Sequence, residues 1–251
     1  MLARTIHGTP TDRPTLLIAH GLFGSGRNWG VIARRLADSR QVVTVDMRNH
    51  AASPRDERHD YPALAEDLAE TIADLGAPCD MLGHSMGGKA AMVCAVTRSE
   101  LLRRLIVADI APVGYAHTQM HLIEAMRAVG SDFASRAEAD AALAPLVEEP
   151  SVRSFLLQSL DMKEKRWTLN LDALAGNMDN ILGFPPLTGS FPGPALFLTG
   201  AESSYVLPEH RGEIRRLFPA ARFAKIPGAG HWLHAEKPRE TEAAIRVFLD
   251  A

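Results

Sequence analysis

The sequence predicts an α/β fold: a mostly parallel central sheet with helices on both faces and a helical segment inserted into it. Three observations predict this. Short apolar runs such as Thr15-Leu16-Leu17-Ile18-Ala19 and Val42-Val43-Thr44-Val45-Asp46 alternate with stretches of helical spacing, and such runs suit strands buried on both faces of a parallel sheet. Gly83-His84-Ser85-Met86-Gly87 stands between one apolar run and a helix of small residues, the strand–turn–helix setting of a strained serine elbow. Between residues 109 and 195 the strand pattern stops and only helical spacing continues.

In chain order, residues 2–7 suit a short edge strand and 15–19 the first core strand, which ends in the Gly-rich turn His20-Gly21-Leu22-Phe23-Gly24. A helix over 29–37, a strand over 42–46 and a polar loop over 47–60 come next. Pro62 opens a helix in the favoured first-turn position, and Leu64, Leu68, Ile72 and Leu75 form its apolar stripe. The elbow strand begins at Cys79, and Leu105 to Asp109 is the next strand, leaving through Ile110-Ala111-Pro112. Helices are expected at 117–129, 136–147, 152–160 and 171–180. The sheet resumes with 195–199, and a helix over 208–217, a strand over 222–226 and a helix over 238–249 complete it. The core is therefore expected to be residues 1–112 and 186–251, with 113–185 a helical cap. Phe155 and Trp167 are expected to line the acyl pocket beneath it.

Hydrophobic residues make up 46% of the 251 residues and charged residues 23%, enough for one large core. A formal charge of −3 gives no basic field for nucleic acid. No stretch reads as a secretory signal or a bilayer span, so no membrane partner is expected. Cys79 and Cys94 have no metal-ligand spacing and read as buried thiols of a reducing compartment, so the expected location is cytoplasmic.

Gly83 and Gly87 leave out side chains where an elbow crowds strand and helix, and Ser85 takes an unfavourable backbone conformation. Gly83-x-x-x-x-Gly88-Lys89 also matches the start of a phosphate-binding loop, but Ala90 stands where that loop needs a hydroxyl on its metal. A serine hydroxyl needs a base, and the base needs an acid to fix its tautomer. His231, on the Gly-rich loop Pro227-Gly228-Ala229-Gly230 after the last strand, is the expected base. Two carboxylates compete as the acid. Glu202 lies in the loop after residues 195–199, where Ser203 occupies the position at which an Asp is expected; Asp109 ends the preceding strand and is favoured. The order Ser, Asp, His is that of an α/β-hydrolase. Backbone N–H groups of Leu22 and Met86 are the expected oxyanion donors. Asp46, Arg48 and His50 read as turn scaffolding, His84 and His234 as packing residues, and Lys89 as a helix-surface residue.

His20-Gly21-Leu22-Phe23-Gly24-Ser25, Asp46-Met47-Arg48-Asn49-His50, Ser53-Pro54-Arg55, Gly83 to Lys89, Asp109-Ile110-Ala111-Pro112 and Gly228-Ala229-Gly230-His231-Trp232 together resemble the YbfF-type bacterial esterases, relatives of the α/β-hydrolase domain-containing protein 11 group. The resemblance implies an α/β-hydrolase fold with a cap after the sixth core strand, serine carboxylesterase activity on small acyl esters or acyl-CoA thioesters, and no cofactor. It also implies Asp109 as the acid, with Ser203 touching His231 or Asp109. The same triad could serve C–C bond hydrolysis or perhydrolysis, and a pocket without turnover would make a ligand-binding protein. The family's His-Gly is His50-Ala51 here. Oligomeric state is left open.

Overall fold

The computed structural model describes residues 1–76 and 78–251. Its main sheet is built from β1 (Arg4–His7), β2 (Leu16–Ala19), β3 (Val42–Val45), β4 (Cys79–His84) and β5 (Leu102–Ala108). After the two short strands β6 (Leu160–Asp161) and β7 (Arg166–Trp167), β8 (Ala195–Gly200) and β9 (Ala221–Ile226) complete it. The seven-stranded order is β1-β3-β2-β4-β5-β8-β9. Only β1 runs antiparallel, at the edge against β3, as the sequence predicts for a mostly parallel sheet.

Side-chain alternation explains the layers. Leu17, Met81, Leu105, Val107 and Phe197 pack into one cluster with Leu64, Leu68 and Ile72 of α2 (after α1, Gly30–Leu36; α2 is Tyr61–Asp74) and with α3 (Met86–Thr97). Their neighbours Leu16, Ile18, Leu82, Ile106 and Leu198 face the other way, onto Ile32 and Leu36 of α1 and a C-terminal helix with Ile245 and Phe248. Successive strand residues point to opposite faces, so both faces must be apolar, and both are covered. Helix α2 starts where Asp60 accepts from the Ala63 N–H, with Pro62 in the first turn.

Five helices separate β5 from β8: α4 (Met120–Val129), α5 (Arg136–Leu143), α6 (Pro150–Leu156), α7 (Leu171–Gly176) and α8 (Met178–Leu182). They share their own apolar cluster, including Ile123, Met126, Leu143, Leu156 and Trp167, with Phe23 from the core. Two expectations are corrected here. The segment is not all helix: β6 and β7 form a hairpin, Leu160 paired with Trp167. Asp161 Oδ1 accepts the N–H groups of Lys163 and Glu164, and this side-chain turn holds the short strands together. The strand ending at Asp109 is also the fifth along this chain, not the sixth, because a single strand, β1, precedes β2. The remaining helices are α9 (Arg211–Leu217), α10 (Leu233–Glu236) and α11 (Pro238–Asp250). Among the described residues, no helix is long and apolar enough to cross a membrane.

Register sets the site. Ala19 pairs with Gly83, Gly83 with Val107, Val107 with Phe197, and Phe197 with Phe223. The carboxyl ends of β2, β4 and β5 therefore finish within one residue of one another, β8 and β9 run about three residues further, and the loops leaving these strands meet on one rim. Ala51 sits in the loop between β3 and α2 with φ at 46°, so the turn keeps a conformation that suits glycine. We expect Ala51→Gly to stabilise the protein by roughly 0.5–1 kcal/mol, the left-handed strain outweighing the added freedom of the unfolded chain. Urea unfolding checks this, and an unchanged or lower midpoint contradicts it.

Candidate active site

Ser85 lies between β4 and α3 with φ 50° and ψ −119°, a conformation that costs a residue with a side chain roughly 1–3 kcal/mol. Crowding imposes it. A Cβ on Gly83 would stand 2.3 Å from Gly87 O, and one on Gly87 would stand 2.5 Å from His20 O. The Ser85 N–H donates to Ala108 O at 3.1 Å, anchoring the elbow to β5.

Asp109, next along the rim, also has a positive φ, 52°. Its side chain is fully buried and takes three donors. Gly200 N–H reaches Oδ1 at 3.0 Å, Ser203 Oγ reaches Oδ2 at 2.5 Å, and His231 Nδ1 reaches Oδ2 at 2.7 Å. Nε2 is then the ring nitrogen left for Ser85. Among the described residues Ser85 Oγ has no hydrogen-bond partner, and such bonds commonly tighten only when substrate binds. The Tyr205 ring stacks on His231 at 3.9 Å, and His84 Nε2–H donates to the His231 carbonyl at 2.9 Å. Glu202, the rival acid, is exposed and makes no hydrogen bond to His231 among the described residues.

The described residues offer no acceptor to the N–H groups of Leu22 and Met86. Three buried histidines stand behind these donors. His20 Nε2 accepts the Met47 N–H at 2.9 Å while Nδ1–H donates to Gly21 O at 2.7 Å. This fixes the peptide unit that carries the Leu22 N–H. His50 Nε2 accepts the Phe23 N–H at 3.2 Å. His59 Nε2–H donates to Met86 Sδ at 3.4 Å. Asp46 Oδ1 accepts Gly26 N–H and Oδ2 accepts Ala52 N–H, so it scaffolds the turns. Burial holds His20 down to about 4 and His50, His59 and His234 to about 3, and it also lowers His84 well below the usual imidazole range. Neutral rings are what these tautomers require.

Ser85, Leu22, Met86 and His231 line one cavity of about 590 Å³, within the range of small-molecule sites. Leu122, Val152 and Phe155 of the inserted segment give the same cavity apolar lining. Trp167 does not line it. Its Nε1–H donates to Met126 O and Gly130 O inside the segment's own core, which corrects the expectation for this residue.

Lys89 is corrected as well: it is 1% exposed, not a surface residue. Its Nζ donates to Leu182 O at 2.8 Å and Gly183 O at 2.6 Å, and lies 4.8 Å from the Tyr115 ring centroid. It closes the orphan carbonyls at the end of α8 and is not free for a phosphate. Burial lowers its ammonium to about 7, opposed by two carbonyls and the ring face, which favour the cation. Its sequence signal was a lone charge on a helix otherwise made of small and apolar residues. Neither His59 nor Tyr205 carried a signal, since both sit in irregular loops. Among the described residues no cluster of three or more His, Cys, Asp or Glu side chains is placed to hold a metal ion.

The fold and site define a serine hydrolase built on a parallel sheet. A model described as "Alpha/beta hydrolase family" matches residues 16–244, and the chain belongs to that family. It is 42% identical over 249 residues to the mouse sn-1-specific diacylglycerol lipase ABHD11, covering 94% of this chain and 81% of that one. It is 40% identical to esterase YbfF of Escherichia coli, covering 99% and 97%. Among solved structures, a marine microorganism esterase superposes with a TM-score of 0.93 at 36% identity, covering 98% of each chain. The chain is thus a carboxylic ester hydrolase of the serine class.

The buried histidines tie stability to pH. Each is neutral when folded at pH 7 but protonates near pH 6.5 when unfolded, so the unfolded chain binds more protons below that value. Stability is present above about pH 6.5 and lost as pH falls toward 4, at about 1.4 kcal/mol per pH unit for each such ring. The His234 side chain makes no hydrogen bond among the described residues, and its Nδ1 is buried without a partner. We expect His234→Phe to reduce the acid slope of the unfolding free energy by about one proton, measured by urea titration from pH 7 to 5. An unchanged slope contradicts the assignment.

Proposed function

We propose that the chain hydrolyses small acyl esters through an acyl-enzyme on Ser85, with His231 as base, Asp109 as acid, and residues 113–185 as a cap over the site. The observation that carries this is the 2.7 Å bond from His231 Nδ1 to Asp109 Oδ2, at the strand end beside the strained Ser85. Asp109 holds the imidazole in the tautomer with Nε2 free to accept, and stabilises the imidazolium once it forms. Ser85 Oγ attacks the ester carbonyl as its proton passes to His231 Nε2. The electron pair of the carbonyl moves onto oxygen, where the N–H groups of Leu22 and Met86 receive it. Each such donor contributes about 3–4 kcal/mol in the transition state. His231 returns the proton to the leaving alkoxide, and water repeats the sequence on the acyl-enzyme. Ser203 supports the triad by occupying the second oxygen of Asp109 together with His231.

The apolar lining of Leu122, Val152 and Phe155 supports a small-molecule ester with an aliphatic acyl group. Acyl-CoA thioesters are the second substrate class the same chemistry serves. The chemistry needs no cofactor. Two buried free thiols, Cys79 and Cys94, support a cytoplasmic location.

Hydrolysis of p-nitrophenyl esters from acetate to octanoate, beside acyl-CoA substrates, tests the proposal. Ser85→Ala is expected to abolish turnover while remaining folded, and a fluorophosphonate should label Ser85 alone. Folded Ser85→Ala with near wild-type activity contradicts it, and binding without turnover by the wild type would make the chain a ligand-binding protein.

Asp109→Asn is expected to lower kcat on the order of 10⁴-fold, whereas Glu202→Gln should stay within about twofold. The reverse pattern would make Glu202 the acid. Phe155→Ala is expected to shift chain-length preference, read as kcat/KM across the ester series, with little effect on acetate.

A further inference from the structure

Asn49 is fully buried at φ 66°, in the loop between β3 and α2. Its Oδ1 accepts the Asp56 N–H at 2.9 Å and the Asn170 Nδ2–H at 2.9 Å. The backbone donor at Asp56 settles which end of the amide is oxygen. Asn49 Nδ2 therefore donates to His59 Nδ1 at 3.2 Å, which places the His59 proton on Nε2, facing Met86 Sδ. Asn170 caps the start of α7, its Oδ1 accepting the Ala173 N–H, and its own N–H donates to Asn49 O at 2.9 Å. His59 N–H donates in turn to Asn177 Oδ1 between α7 and α8. A continuous path of hydrogen bonds thus runs from the inserted segment through Asn49 and His59 to the first residue of α3.

We infer that His59 is a positioning residue for the oxyanion hole, through which the docking of α7 on the loop holds Met86 in place. The inference rests on the proposed role of the Met86 N–H. Methionine is the most adaptable of apolar side chains; Ser85 O already accepts the Lys89 N–H at 3.0 Å, so what stays free without a partner is the Met86 side chain and the small tilt it allows the Ser85–Met86 peptide. His59 removes that freedom from the side that faces away from substrate. The same loop reaches the other donor, since His50 accepts the Phe23 N–H beside Leu22. Both donors are therefore referenced to one loop, and that loop to α7. A sulfur acceptor is weak, so the expected effect is a fraction of what a lost donor costs.

The test uses steady-state hydrolysis of p-nitrophenyl butyrate and inhibition by a trifluoromethyl ketone. The Ser85 Oγ–carbon bond to the ketone forms as the Oγ proton passes to His231 Nε2 and the ketone's carbonyl pair moves onto its oxygen, leaving a tetrahedral oxyanion. His59→Leu is expected to lower kcat about tenfold and weaken the inhibitor about tenfold, with KM within twofold. Met86→Leu conserves volume and removes only the acceptor; it is expected to give the same loss, and the double variant no more than either single one. Asn170→Ala is expected to lower kcat about threefold in the wild type and not at all in His59→Leu. Met86→Leu within twofold of wild type overturns the inference, even if His59→Leu fails to fold, and so do losses that multiply in the double variant. A crystal structure of the wild-type ketone adduct separates the two levels. An adduct oxygen away from Met86 N–H removes the oxyanion assignment and this inference with it. An oxygen within hydrogen-bond distance, beside unaffected variants, removes this inference alone.

Discussion

A carboxylate cut off from water must find its donors inside the protein, and at Asp109 three are supplied by two distant stretches of chain. Gly200 ends β8, Ser203 lies in the loop beyond it, and His231 comes after β9. Hydrogen bonds to a charged group contribute about 1.5–3 kcal/mol each, and leaving such a group without them costs more. The buried charge therefore acts as a joint. It draws the loops after β8 and β9 toward the end of β5, and it orients the imidazole as a by-product of its own satisfaction. Gly200 shows how tight the joint is: a Cβ there would stand 2.1 Å from Gly230 O.

Next to this joint, two residues on adjacent strand ends carry side chains at positive φ, Ser85 at 50° and Asp109 at 52°. Neither conformation is locally favourable, and each persists because the surroundings over-determine it. The apolar clusters on both faces of the sheet fix the strands, the strands fix the register, and the register leaves the turns no relaxed alternative. Stability made in the core is in this way converted into geometry at the rim.

Much of this was legible from the residues alone. Continuous apolar runs reported strands covered on both faces, and the Gly-x-Ser-x-Gly setting reported the elbow, because each depends on local sequence. Asp109 beside His231 was suggested by a strand end leading into Ile-Ala-Pro. The hairpin at Leu160 to Trp167 was hidden because its strands are two residues long and its turn is held by one aspartate. Lys89 was misplaced because a single charge on a helix usually faces water; here the carbonyls of Leu182 and Gly183, far away in sequence, receive it. His59 and Asn49 were invisible as a pair, since nothing in the linear order states that one amide faces an imidazole on one side and α7 on the other.

Tyr115 N–H donates to Leu182 O at 3.0 Å, and Lys89 grips the same carbonyl and its neighbour. The inserted segment thus leaves the core and returns to it through what is nearly a single point. Closing a loop whose ends already touch costs little more as the loop lengthens, because the entropy grows only with the logarithm of its length. Evolution, or an engineer, can lengthen, shorten or exchange the segment as a cassette while β5 and β8 stay in register. The inserted segment and the strand ends are therefore separately inheritable parts of this architecture, with the buried lysine as the seam between them.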